Sequence, residues 1–373
     1  MSFFALILKN LRRRPARSLL TVVGIAIGIC AVVALSSLAW GFEHTWENTY
    51  KARGIDLVVA KPASHSGMPG LFPETIKGDL QLLPHVREAT GILADLFSVE
   101  DSTGLLIAGW EERSFLWDHL TLQQGRWPDE SAGKVVAMGT LAAETLGKSL
   151  GAKVQLETAE FTVVGIFSSP ALAENSAIIM KLSEMQALTD SEGRVNFLEA
   201  RLAPGTTPAE LESLRLRIRN DFKGLTAFAP REVPQADVGI RLAKAMSLAT
   251  SFIALIVGAT GVANTILMSV FERVQEIGIL LAIGWRRTYI LGMILLESVL
   301  LSCGGGVVGC VLGIVTVKML QVVPFIHGKI AGEISWSLIG IAFLVALLLG
   351  VLGGLYPAWI ASRMSPTTAL RHE

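Results

Sequence analysis

The chain has 373 residues, of which 51% are hydrophobic and 17% charged, against roughly a quarter charged in a soluble domain. A mean hydropathy of +0.52 points to a membrane protein with a sizeable polar part. Thirty-two basic side chains balance 32 acidic ones, so no global charge attracts nucleic acid, and Cys30, Cys303 and Cys310 all lie in apolar runs, which argues against a disulfide framework or cysteine metal site in the polar middle.

Residues 1–17 place Phe4, Leu8 and Leu11 on one helical face beside Lys9 and Arg12 to Arg14, and Pro15 interrupts the pattern. An interfacial helix on the cytoplasmic side fits this. Residues 18–40 form the first uncharged run, longer than the roughly 20 residues that cross a bilayer. Its length also exceeds the about 7–15 residues of a signal-peptide core. Basic residues precede it, so its N-terminus is expected in the cytoplasm. Gly24 and Gly28 make a small-xxx-small pair within it, a candidate surface for packing against another helix or a second copy of the chain.

Residues 41–243 contain no spanning run and read as an extracytoplasmic α+β domain, with two subdomains as an option. Short apolar pieces at 55–60, 104–109, 134–139, 153–157, 161–167, 176–180 and 195–202 predict strands. The clearest helix runs from Pro208 to Phe222, with Thr207 as its N-cap and Leu211, Leu214, Ile218 and Phe222 as its stripe. The stretch 142–149, AAETLGKS, loosely matches a phosphate-loop pattern. Helix-forming residues stand where glycines must expose amides, and Glu144 sits where phosphate charge would lie, so it is set aside. No HExxH, GxSxG or CxxC appears, and the six histidines show no ligand spacing.

The second span is expected at 244–270, emerging directly from the domain, and a charged interruption follows at 271–289. There Glu272, Arg273 and Glu276 lead into a short amphipathic helix that stops at Gly284 before Arg286 and Arg287. Counting spans puts this loop in the cytoplasm, and its arginines agree. Arg273 and Glu276 are placed to pair, and Ile277, Leu280, Leu281 and Ile283 make an apolar face that needs cover. The third span, 290–320, carries Gly305, Gly309 and Gly313 on one face, a tight packing surface or flexible point. Glu297 lies inside it. An intramembrane carboxylate is a functional candidate by default, and the plainer alternative is a group that snorkels to, or bonds near, the cytoplasmic interface. An outer loop at 321–335, a fourth span at 336–360 and a cytoplasmic tail at 361–373 complete the chain, with both termini inside.

The loop ERVQEIGILLAIGWRR resembles the signature of the MacB/FtsX-like ABC transporter permeases, the type VII transmembrane subunits. The opening NLRRRPARSLLTVVGIAIG and the ending YPAWIASRMSPTTALR are similar to that family's, as are GRWP at 125–128 and the stretches around 135–167 and 198–214. The resemblance implies four membrane helices with a MacB-like periplasmic core domain. It implies a cell inner-membrane permease moved by two copies of a separate ABC ATPase, which bind ATP and Mg, with no cofactor or catalytic residue in this chain. A second permease chain, identical or different, is implied, and a periplasmic adaptor with an outer-membrane channel is an option. The family's coupling helix falls on Glu272, Arg273, Glu276, Ile277, Gly278, Ala282 and Gly284. Export of a small molecule, peptide or lipid-like substrate is the leading expectation. Lipoprotein extraction and non-transporting mechanotransmission to a cell-wall hydrolase are the alternatives.

Overall fold

The structure is a computed structural model that describes residues 15–63, 68–100, 102–128, 133–236, 238–322 and 335–364. The expected interfacial helix up to residue 14, most of the 321–335 loop and the tail beyond residue 364 lie outside the described residues. The chain divides into two compact units, Trp40–Ala243 with Leu320–Ala331, and the remainder.

Helix α1 (Pro15–Arg53) carries the first apolar run and continues well past it. The extension is polar but helical: Glu47 pairs with Lys51 one turn on at 2.8 Å, and Thr49 donates its hydroxyl hydrogen to the Thr45 carbonyl. It stops at Gly54, whose φ of +67° favours glycine. The amides of Gly54 and Ile55 close back on the carbonyls of Lys51 and Tyr50, the paired bonds of a Schellman motif.

The domain follows as β1 (Leu57–Ala63), β2 (Pro69–Gly70), β3 (Phe72–Pro73), α2 (Ile76–Gln81), β4 (Val86–Val99), β5 (Ser102–Trp110), β6 (Thr121–Gly125), β7 (Val135–Gly139), α3 (Thr140–Leu146), β8 (Lys153–Leu156), β9 (Ala159–Ser168), α4 (Leu172–Asn175), β10 (Ile178–Lys181), α5 (Leu182–Leu188), β11 (Arg194–Val195), β12 (Phe197–Leu202), α6 (Pro208–Asp221), β13 (Thr226–Phe228) and α7 (Val233–Ala236). An eleven-stranded sheet runs β13-β1-β12-β4-β5-β10-β7-β9-β6, with β2 beside β1 and β8 beside β9. It is mixed, because β5 pairs β10 and β7 pairs β9 in parallel. Alternate residues feed two cores. Leu57, Val59, Leu93 and Met180 pack with one, and Val58, Ile92, Ala94 and Ile179 with the other. Burial on both faces explains why these strands read as continuous apolar runs.

Helix α6 has Thr207 as its N-cap, as expected, and adds a capping box: Thr207 accepts from the Glu210 amide while Glu210 accepts from the Thr207 amide. The stretch 142–149 begins inside α3 and runs out through its C-terminal end, which Gly147 caps. Helix C-termini present carbonyls, so the local field opposes an anion.

The second unit contains helices α8 (Val238–Glu272), α9 (Val274–Ala282), α10 (Arg287–Val322) and α11 (Trp336–Ser362) together with the first part of α1. Among the described residues, four helices are long and apolar enough to cross a membrane: α1, α8, α10 and α11. Small residues set their spacing. A Cβ on Gly305, Gly309 or Gly313 of α10 would stand 2.7 Å from the Cβ of Ile25, Ile29 or Val33 of α1. On α11, Gly353 meets Val262 of α8 equally closely, and Gly350 meets Val299 of α10. Helix α8 closes the ring onto α1, with Gly28 beside Ala254 and the Thr21 and Thr265 hydroxyls 2.6 Å apart. The glycine stripe of α10 therefore packs within the chain, in keeping with small-residue association in membranes. Gly24 and Gly28 do not share a face contact, since nothing lies within 4 Å of a Cβ on Gly24. Outward faces are apolar, with Leu20 and Ile27 of α1 and Phe252 and Val257 of α8 exposed, as a bilayer requires.

Candidate functional site

The loop between the second and third spans is built around α9. Its first turn carries Glu276, favourable at a helix N-terminus, and its end repeats the device seen in α1. Gly284 has φ +97°, and the amides of Gly284 and Trp285 bond the carbonyls of Leu281 and Leu280. Gly284 is thus accounted for by the helix stop itself.

The helix has two unlike faces. Ile277 and Gly278 are buried and Leu280 and Leu281 half-buried, so these cover α9 from within the chain. Gln275, Glu276, Ile279, Ala282 and Ile283 are exposed on the other side. Ile283 does not join Ile277, Leu280 and Leu281: it lies four residues on from Ile279 and seven from Glu276, shares their exposed side, and is 73% exposed. Of the residues the family resemblance places in the coupling helix, Glu272, Glu276, Ala282 and Gly284 are exposed, whereas Ile277 and Gly278 are internal.

Arg273 joins the loop to the third span. Its Nε faces Glu276 Oε2 at 3.1 Å, and its Nη1 faces Glu297 Oε2 at 3.4 Å. Ser269 of α8 adds its hydroxyl to Glu297 at 3.5 Å. Glu297 is 5% exposed, so it is a bonded internal group and does not snorkel out. Sequence patterning paired Arg273 with Glu276 and marked Glu297 separately, and the packing of α8 on α10 brings Glu297 to that pair.

The other unit holds a second charged centre that sequence reasoning missed. Arg53, at the end of α1, donates from Nε to Glu174 Oε1 at 2.6 Å and from Nη1 to Glu199 Oε1 at 2.5 Å. Its guanidinium lies 5.0 Å from the centre of the Trp110 ring. His119 Nε2 stands 2.7 Å from Glu174 Oε2, which the Ser169 hydroxyl also reaches. Burial alone would raise the Glu174 carboxyl, but the Arg53 charge and the His119 and Ser169 hydrogen bonds outweigh it and hold it down to about 2. Burial wins at Glu199, which is pushed up despite Arg53. The centre fixes the end of α1 to α4 and β12, and among the described residues no cluster has the arrangement to hold a metal ion.

Fold and site define a membrane protein with four spanning helices, an α+β domain between the first two, and a two-faced helix in the loop between the second and third. Family models match in the same order: the MacB-like periplasmic core domain over residues 18–214 and the FtsX-like permease C-terminal over residues 248–366. The chain belongs to the MacB/FtsX-like ABC transporter permease family. It is 26% identical to an uncharacterised ABC transporter permease of Methanocaldococcus jannaschii, covering 98% of this chain and 96% of that one. It is also 26% identical to a macrolide export ATP-binding/permease protein MacB of Rhodospirillum rubrum, over 98% of this chain but 59% of that one. A solved periplasmic region of MacB from Actinobacillus actinomycetemcomitans aligns with 49% of this chain and 94% of its own at 16% identity and a TM-score of 0.38.

Proposed function

We propose that this chain is the membrane half of an ATP-driven transporter in which α9 receives the stroke of a partner ABC ATPase. The observation that carries this is the division of α9 into a face covered by its own chain and an exposed face of Glu276, Ile279, Ala282 and Ile283. An amphipathic helix with one apolar side left uncovered suits a groove on a soluble partner. The loop lies in the cytoplasm with both termini, and the domain lies outside. Two ATPase copies serve two permease chains, identical or different, and those copies bind ATP and Mg. The archaeal permease, matched over nearly its whole length, supports an arrangement with the ATPase on a separate chain. Relatives named for macrolide export support an exported small-molecule substrate, handed to an adaptor and outer channel where the cell has two membranes.

Helices α1 and α8 each pass from an apolar run into the domain's chain without a break. Continuous helices transmit displacement better than loops, so they are the levers that carry the stroke outward. The test is co-purification of the ABC ATPase with the full chain in lipid nanodiscs. Ile279→Asp and Glu276→Arg should each cut retained ATPase at least about tenfold, the scale of losing one central interface anchor. Retention equal to the parent in both variants would remove α9 as the docking element.

A further inference from the structure

The arginine that opens α9 does not belong to its exposed face. The Arg273 side chain is 13% exposed, against 50% for that of Glu276, and its far nitrogen turns inward to Glu297, whose side chain alone is 7% exposed. It follows the end of α8 and occupies the N-cap position of α9 without a side-chain cap bond. Those two helix ends act on a cation with opposite sign, so the carboxylates decide its position. Glu297 sits within an apolar span, where an ionised group needs a counter-charge. Arg273 supplies that charge, and the Ser269 hydroxyl adds a hydrogen bond from α8.

We propose that Arg273 and Glu297 are positioning residues that latch α9 to the third span, with Glu276 competing for the same guanidinium. The contacts of 3.1 and 3.4 Å split one guanidinium between two acids instead of committing it to a bidentate pair with either. Anything that engages Glu276 on the exposed face changes the share of Arg273 left for Glu297. The latch thus converts occupancy of α9 into a changed hold on α10. It rests on α9 being the docking helix only for what occupies that face; the latch itself needs no partner.

The experiment uses the full chain alone, in nanodiscs, with Cys30, Cys303 and Cys310 changed to alanine and a reporter Ile277→Cys on the covered face of α9. The readout is the rate of maleimide labelling. Glu297→Gln should speed labelling at least about fivefold, the lower end of ordinary coupling between sites. The exchange Arg273→Glu with Glu297→Arg should bring it back to within about twofold of the parent, a rescue that lost packing would not give. A Val33→Cys reporter in the glycine seam should label at the parent rate throughout. Parent-rate labelling of Ile277→Cys in Glu297→Gln, failure of the exchange to rescue, or an equal rise at Val33→Cys each overturns the latch. Because no ATPase is present, these outcomes are independent of whether α9 docks one.

Discussion

Two arginines, Arg53 at the end of α1 and Arg273 at the start of α9, are each shared by two glutamates, yet they are held differently. Arg53 is 5% exposed, with contacts of 2.5 and 2.6 Å and an indole beside it. Arg273 has contacts of 3.1 and 3.4 Å, and one of its acids is half in solvent. At a helix C-terminus the Arg53 charge also suits the dipole. The first arrangement is a fastening, in which every charge is buried and opening leaves carboxylates without a counter-ion. The second can exchange partners at little cost, since one acid is already wet. On the proposed function, Arg53 is the fixed joint of the lever and Arg273 the yielding one that receives the stroke.

The comparison breaks most visibly at Arg53. Arg53→Met leaves two buried acids facing each other and should cost about 3–5 kcal/mol. Thermal unfolding of the full chain, followed by tryptophan fluorescence, should move down by roughly 10 °C for a domain of this size. Arg273→Met should shift the same transition far less. Next in size is the seam that fixes the spans. Gly309→Val would drive a side chain into Ile29 and the Ala26 carbonyl and should cost about 1–3 kcal/mol, whereas Gly24→Ala, with nothing within 4 Å, should leave the melt unchanged. A loss of chain–chain association in Gly24→Ala alone would assign that open face to a second copy. The smallest effect is acid dependence. The folded Glu174 carboxyl lies below its usual 4.5, so its contribution is complete above about pH 4.5 and is lost as pH falls toward 2. Glu199, shifted upward, works in the opposite sense. Glu174→Gln should therefore flatten the acid limb of the stability profile, read as melting temperature against pH.

Much of the architecture was legible because it depends on local patterning. Long apolar runs located the four spans, alternation into two cores left apolar strands, and Thr207, Pro208 and Gly284 marked helix ends by known capping chemistry. The strand β4 was not legible. It opens on Val86-Arg-Glu and mixes polar with apolar residues, although it joins β12 to β5 inside the sheet. The polar extension of α1 was hidden for a related reason, since hydropathy ends at Trp40 while the helix ends at Arg53. The Arg53 centre joins residues 121 and 146 positions apart, which no spacing rule can reach. Arg273 and Glu297 were each conspicuous alone, but their pairing depends on which faces of α8 and α10 meet. Ile283 was misplaced because its apolar character was grouped without its helical phase, which sets it with Glu276 and Ile279 on the exposed side.

The central claim is that α9 turns one face to its own chain and the other to an ATPase. Photo-crosslinking from single positions of α9, in membranes containing the permease and the ABC ATPase, tests it most directly. Crosslinkers at Ile279 and Ile283 should capture the ATPase, and those at Ile277 and Leu280 should capture only the permease itself. ATPase capture from Ile277 and Leu280, or from none of the four, would contradict the account.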